Sequence, residues 1–158
     1  MSTLPGDRTS GFKIPRSVLV VVHTAALEVL LLERADAPGF WQSVTGSRDH
    51  DAESDEQTCR REVAEETGID VGDALRDWGL SNDFEIPPAW RGRYAPGVTR
   101  NVERVFGACV ARDVPVRLSA EHLRHVWLAW QEAAARCASW TNRDAILQLA
   151  APGGPPGR

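Results

Sequence analysis

The stretch Glu53-Ser-Asp-Glu-Gln-Thr-Cys-Arg-Arg61-Glu62-Val63-Ala-Glu65-Glu66-Thr-Gly68-Ile69 decides how the rest of the chain is read. Ser54 with Gln57 has the spacing of a capping box, and Asp55 and Glu56 suit the positive end of a helix dipole. Gly68 is a natural left-handed stop, after which Ile69 can fold back onto the protein. Cys59 and Val63, one turn apart, form a narrow apolar stripe for a core. Glu62 and Glu66 are also one turn apart, with Glu65 beside them, and like charges so placed destabilise an isolated helix by roughly 0.2–0.5 kcal/mol per pair. A solvated acidic face is the plain reading. The sharper one is a use for the repulsion, because clustered carboxylates are hard oxygen ligands suited to Mg²⁺. Glu53 and Arg61 lie about two turns apart on another side. There the arginine can hold a carboxylate or an intervening backbone oxygen.

Upstream of this helix, Ser17–His23 and Glu28–Arg34 are β-branched or leucine-rich runs of the kind buried on both faces of a sheet. They are expected to pair as central strands across a turn at Thr24–Leu27, with His23 structural. Phe40–Ser47 follows a Pro-Gly turn and leads into the helix through an exposed Arg48–Asp51 loop. Downstream, Trp78–Ile86, Asn101–Ala111 and Val126–Trp130 are strand-like. Gln131–Cys137 reads as helical, and Thr141 with Asp144 suggests a capping box opening a last helix through Leu149. Strands, a helix, more strands and closing helices predict an α/β sandwich with a mixed sheet. One domain over residues 13–150 is expected, with flexible tails at 1–12 and 151–158.

Composition narrows the function classes. The length suits one domain, and the formal net charge of −4 argues against nucleic-acid binding. No apolar stretch has the form of a signal peptide or the length of a membrane span. Three widely spaced cysteines without a CxxC read as buried small hydrophobes in a reducing cytoplasm. Most of the six tryptophans should be core, Trp41 being the best exception because it precedes the helix loop.

The helix resembles the Nudix box: a glycine, a spacer, Glu, seven residues, then Arg-Glu-aliphatic-x-Glu-Glu-x-Gly-aliphatic. Glu53, Arg61, Glu62, Val63, Glu65, Glu66, Gly68 and Ile69 fall in register. Six residues separate Gly46 from Glu53 where the pattern has five. The resemblance implies an α/β/α sandwich and hydrolysis of a diphosphate linked to another moiety, using Mg²⁺ (or Mn²⁺ in its place). It assigns catalysis to Glu53, Arg61, Glu62, Glu65 and Glu66, and metal binding to Glu62, Glu66 and, from outside the box, Glu121. The segments Phe40–Ser47, Phe84–Ile86, Arg93–Asn101, Glu121-His122 and Ser139–Arg143 are similar to those of a branch of the family that splits a pterin triphosphate into the monophosphate and pyrophosphate in folate synthesis. That similarity implies substrate contacts at Lys13, Arg34, Thr45, Phe84, Glu85, Ile86, Pro87 and Ser139. Pro87 departs from an expected aromatic.

Two other readings stand beside this one: a permissive nucleoside triphosphate pyrophosphatase with the same metal site, and a silent Nudix fold that senses a nucleotide. The intact carboxylates and Arg61 speak against the sensor. All three readings take a small triphosphate or nucleotide as ligand, and no protein partner is evident. His122 and His125 have the i,i+3 spacing of a helical zinc pair, but no nearby Cys or third His completes such a site.

Overall fold

The computed structural model describes residues 11–155; residues 1–10 and 156–158, the greater part of the expected tails, lie outside the described residues. The two apolar runs form β1 (Arg16–His23) and β2 (Glu28–Arg34). Their turn is made by Leu27 at a φ of 64°. They pair only at its mouth, where His23 faces Val29. The expected central pair is present, with its pairing confined to that end. Beyond the turn β1 and β2 part, and the gap is filled because buried backbone groups need partners. On that side β1 takes β4 (Val44–Ser47), antiparallel from Ser17↔Ser47 to Val20↔Val44. Strand β2 takes β3 (Trp41–Gln42) and β7 (His122–Ala129). The other side of β1 runs parallel to β6 (Arg100–Cys109), and β5 (Leu75–Glu85) closes the sheet against β6. Gly79, at a φ of 71°, makes the β5 bulge possible. The result is a mixed seven-stranded sheet.

Alternation along β1 divides the core in two. Val18, Val20 and Val22 face α1 (Asp55–Thr67), with Cys59 and Val63 completely buried against them. Burying one such valine is worth roughly 1.5–3 kcal/mol. Leu19 and Val21 face α2 (Trp130–Arg136) and α3 (Trp140–Leu147) on the other side. This is the α/β/α sandwich expected from the sequence. Helix α1 has both halves of its capping box and ends on Gly68 at a φ of 75°.

Three other expectations change. Helix α3 is capped by Ser139, whose Oγ accepts from the Asn142 N–H, and the Thr141 hydroxyl bonds Ser139 instead of starting the helix. Trp41 is buried in the α2–α3 core, with the guanidiniums of Arg124 and Arg136 over its ring. Cys59 is buried, but Cys109 is exposed and Cys137 half-buried. His122 and His125 lie on a strand with a register shift between them, one buried and one exposed, so their spacing is not that of a helical zinc pair.

Among the described residues, no helix is long and apolar enough to cross a membrane. Gly107 on β6 lies directly beneath the Trp78 indole, where a Cβ would overlap the ring. Gly107→Ala should destabilise the fold by about 1–3 kcal/mol through overpacking. Urea unfolding will measure this, and an unchanged midpoint would contradict the packing described.

Candidate active site

Arg61 organises the site. Its Nε and Nη2 donate to the two oxygens of Glu53 at 2.7 and 2.9 Å, and Nη2 also donates to the Ser47 carbonyl at 2.9 Å. Nη1 reaches Glu62 at 3.1 Å and Glu65 at 3.4 Å. One guanidinium therefore ties the helix to the end of β4 and orients the carboxylates beside it. Glu53 also accepts from the Asp49 N–H at 2.7 Å and from Thr58 Oγ1 at 3.0 Å. Burial alone would raise its pKa, but the bonds from Arg61, Asp49 and Thr58 outweigh this and hold it at about 2. With its oxygens so occupied, Glu53 acts as an anchor for Arg61.

The extra residue between Gly46 and Glu53 leaves this geometry intact. Gly46 stays in register opposite Val18, and the surplus is taken up in the turn where the Glu53 N–H meets the His50 carbonyl at 3.1 Å. Gly46 carries the Glu62 carboxyl directly over its backbone, in the space a Cβ would fill. Beside it, Glu66 is buried and its Oε1 lacks a hydrogen-bond partner among the described residues. Burial first, then the Glu62 charge and a hydrogen bond shared with Glu62, push the Glu66 pKa well up, and Glu121 adds to the effect. Burial raises Glu62 as well. Glu65 points outward and is the most exposed of the box carboxylates on α1 beyond Arg61.

These residues suit a hard divalent cation: a buried orphan oxygen, a second carboxylate held over a glycine, and a third within electrostatic reach. Among the described residues no three such groups form a finished cage. Glu62 and Glu66 form the core of the site, and Glu121 approaches from the start of β7, where its carbonyl accepts from the Ala35 N–H at 2.9 Å.

Cations border the carboxylates. Lys13 is exposed by area, yet its ammonium is crowded; burial lowers its pKa, as do Arg93 and Arg34, against Glu62 and Glu121. Arg34 grips Asp36 with two bonds of 2.7 Å, and Arg93 reaches the same carboxylate at 3.2 Å. Both guanidiniums stand over the Trp90 ring, at 5.2 and 5.7 Å from its centroid. Sequence reasoning did not single out Asp36 or Trp90; nothing in their spacing links residues that meet only through the fold. It also missed the place of His122, buried with Nε2 at 3.9 Å from Glu66. Burial lowers the His122 pKa and so favours the neutral ring.

The remaining expected contacts fall into two groups. Register places Thr45 opposite Leu19 and Phe84 opposite Asn101, on the α3 side of the sheet. Ile86 is buried, while Pro87 and Glu85 are exposed, Glu85 pairing with Arg91 at 3.1 Å. Ser139 is engaged as the α3 cap, and Asn142 next to it accepts from the Ser43 N–H at 2.8 Å. Helix α3 is thus pinned to the start of β4, the strand whose other end carries the carboxylate site.

A fold of this kind, with this helix over this glycine, defines the class. The NUDIX domain profile matches residues 13–149, and the chain belongs to the Nudix family. It is 44% identical over 142 residues to the dihydroneopterin triphosphate diphosphatase of Escherichia coli (strain K12), covering 87% of this chain and 93% of that protein. It is 38% identical over 139 residues to the Haemophilus influenzae protein of the same name, covering 85% and 87%. The solved structure of the E. coli dihydroneopterin triphosphate pyrophosphohydrolase superposes with a TM-score of 0.81 over 87% of this chain and 96% of that one.

Two outcomes follow. Gly46→Ala should push the Glu62 carboxyl off its seat and lower kcat/KM by about 100-fold, the scale of a misplacement near 1 Å, with the fold retained by circular dichroism. Glu53→Gln should lower the melting temperature at neutral pH. Because the folded pKa of about 2 lies below the ordinary 4.5, that gap should narrow as pH falls from about 4.5 towards 2. A gap that persists unchanged at the acid end would show that Glu53 works by packing and not by charge.

Proposed function

We propose that this Nudix enzyme hydrolyses dihydroneopterin triphosphate to dihydroneopterin monophosphate and pyrophosphate, one water being consumed as the α–β phosphoanhydride bond breaks. The observation that carries the reaction class is the Glu62–Glu66 pair seated over Gly46 and braced by Arg61. The substrate rests on the identity to the two bacterial enzymes over nearly their whole length.

In this reading Glu62, Glu66 and Glu121 hold Mg²⁺, with Mn²⁺ able to replace it. A divalent ion there supplies charge neutralisation for the polyphosphate and activation of water. The chain's own groups do the remaining work. Arg61 keeps Glu62 aimed at the site, and Glu65 lies at its rim to orient or accept a proton from water. Lys13 and Arg34, joined by Arg93, offset phosphate charge on the side away from the carboxylates. Phe84, Ile86 and Thr45 provide the wall against which the flat ring lies, Glu85 and Pro87 form its outer lip, and Ser139 fixes the α3 end. Positioning and electrostatics account for most of the catalysis expected at phosphorus.

The test is pyrophosphate release on dihydroneopterin triphosphate, GTP and dATP side by side with Mg²⁺. A preference for the pterin compound is expected; equal rates on all three would instead mark a permissive nucleotide pyrophosphatase. Glu62→Gln should lose at least about 100-fold in kcat while keeping its fold, and near-normal turnover would remove Glu62 from the site.

A further inference from the structure

We propose that Glu103 is the specificity-determining residue for the pterin ring: its carboxylate, on the α3 face of β6, accepts the paired N–H donors of the 2-amino-4-oxopyrimidine edge. This rests on the substrate reading above.

Glu103 is buried, with only 5% of its surface exposed. It stands opposite Ser17 on one neighbouring strand and Asn82 on the other. From the neighbouring strand, Asn82 Nδ2 donates to it at a long 3.3 Å. Among the described residues it forms no ion pair. Two other buried carboxylates have cation partners: Glu53 has Arg61, and Glu33 has Arg124 at 2.7 Å with the Gly39 N–H at 2.8 Å, while Glu66 belongs to the acidic site on α1. Burying a carboxylate held by neutral donors and no cation is costly, and a further pair of donors would offset that cost. Burial raises its pKa to about 7, against bonds from Asn82 and Thr141.

A second acceptor lies beside it. Asn101, two residues earlier on the same face, donates Nδ2 to Ser17 Oγ at 2.8 Å, which turns its Oδ1 away; that oxygen is buried and without a partner among the described residues. Phe84 is opposite Asn101 in the register, and Thr45 is on the same side of the sheet. An acceptor-rich floor beside an aromatic suits a flat ring with a donor-rich edge.

The floor is also connected to the phosphate end. Tyr94 feels Glu103, although burial and Arg93 act on it more strongly. Tyr94 bridges Lys13, whose Nζ lies 5.8 Å from its ring centroid. Lys13 in turn feels Glu62 and Glu121. A ring on Glu103 would therefore carry its triphosphate past Lys13 towards the carboxylates.

The pterin edge offers a ring N–H and an exocyclic amine side by side, and guanine offers the same pair. Adenine presents one donor beside an acceptor, so half of a bidentate contact to a carboxylate is lost. Glu103→Gln replaces one acceptor with a donor. The expected result is a 10- to 100-fold fall in the ratio of kcat/KM on dihydroneopterin triphosphate to that on dATP, with the GTP-to-dATP ratio falling alongside. Binding of dihydroneopterin itself, without phosphates or Mg²⁺, should weaken similarly by calorimetry. An equal loss on all three substrates, or no change in either ratio, overturns the assignment.

The wild-type preference tests the substrate reading separately. If the wild type does not favour the pterin compound, the GTP-to-dATP ratio of the variant still decides the role of Glu103. Melting curves serve as the fold control. The raised folded pKa makes the carboxylate a burden that grows from about pH 4.5 through 7. The variant should therefore gain on the wild type in melting temperature between pH 5 and pH 8. Should it fail to fold, Glu103→Asp, which draws the carboxylate back by one methylene, must lower the same two ratios.

Discussion

One guanidinium holds this active site together. Arg61 is fixed by the two oxygens of Glu53 and by the Ser47 carbonyl, and from that anchored position it reaches Glu62 and Glu65. Without it, α1 would place three carboxylates near one another with nothing to limit their repulsion. With it, the repulsion becomes a directed electrostatic feature: Glu62 rests over Gly46, and Glu66 keeps a buried oxygen without a hydrogen-bond partner among the described residues. The planar five-donor fork of arginine is suited to bonding a carboxylate and a carbonyl at once, which the point charge of lysine cannot reproduce.

The same division of labour extends across the sheet. Where β1 and β2 part, the opening lets groups from α1, the end of β2 and the start of β7 approach one another. Carboxylates collect on one side and Lys13, Arg34 and Arg93 on the other, with Asp36 and the Trp90 ring ordering the two arginines. A polyphosphate needs both signs: cations for its oxygens, and an acidic nest to keep a metal ion where charge develops. In the proposed reading the α3 face adds a floor for a ring.

The local features were legible in the sequence because their signals are local. The capping box, the Gly68 stop, the apolar stripe of Cys59 and Val63 and the Glu53–Arg61 pairing all depend on helical spacing, and all are present. Runs buried on both faces likewise announced β1 and β2. The β1–β2 pairing was legible from the short turn between them, but its extent was not, since hydrophobicity identifies a strand and not how far a partner runs beside it; beyond the turn β1 takes β4. Trp41 was misplaced because closeness to the box in sequence is not closeness to its open side. Asp36, Trp90, His122 and Glu103 could not be linked to the site by spacing: His122 and Glu103 reach their places through register across the sheet, and Asp36 and Trp90 through connecting segments that meet only in the fold.

If the arrangement Arg61 maintains serves a metal, Glu62, Glu66 and Glu121 converge on one divalent ion. A crystal structure of the enzyme soaked in Mn²⁺, read by anomalous scattering, measures this directly. The expected peak is bonded to oxygens of Glu62 and Glu66, with Glu121 in its coordination shell directly or through water, while Arg61 keeps its bonds to Glu53. A peak elsewhere, or one bound by Glu53 after Arg61 has let go, would contradict it.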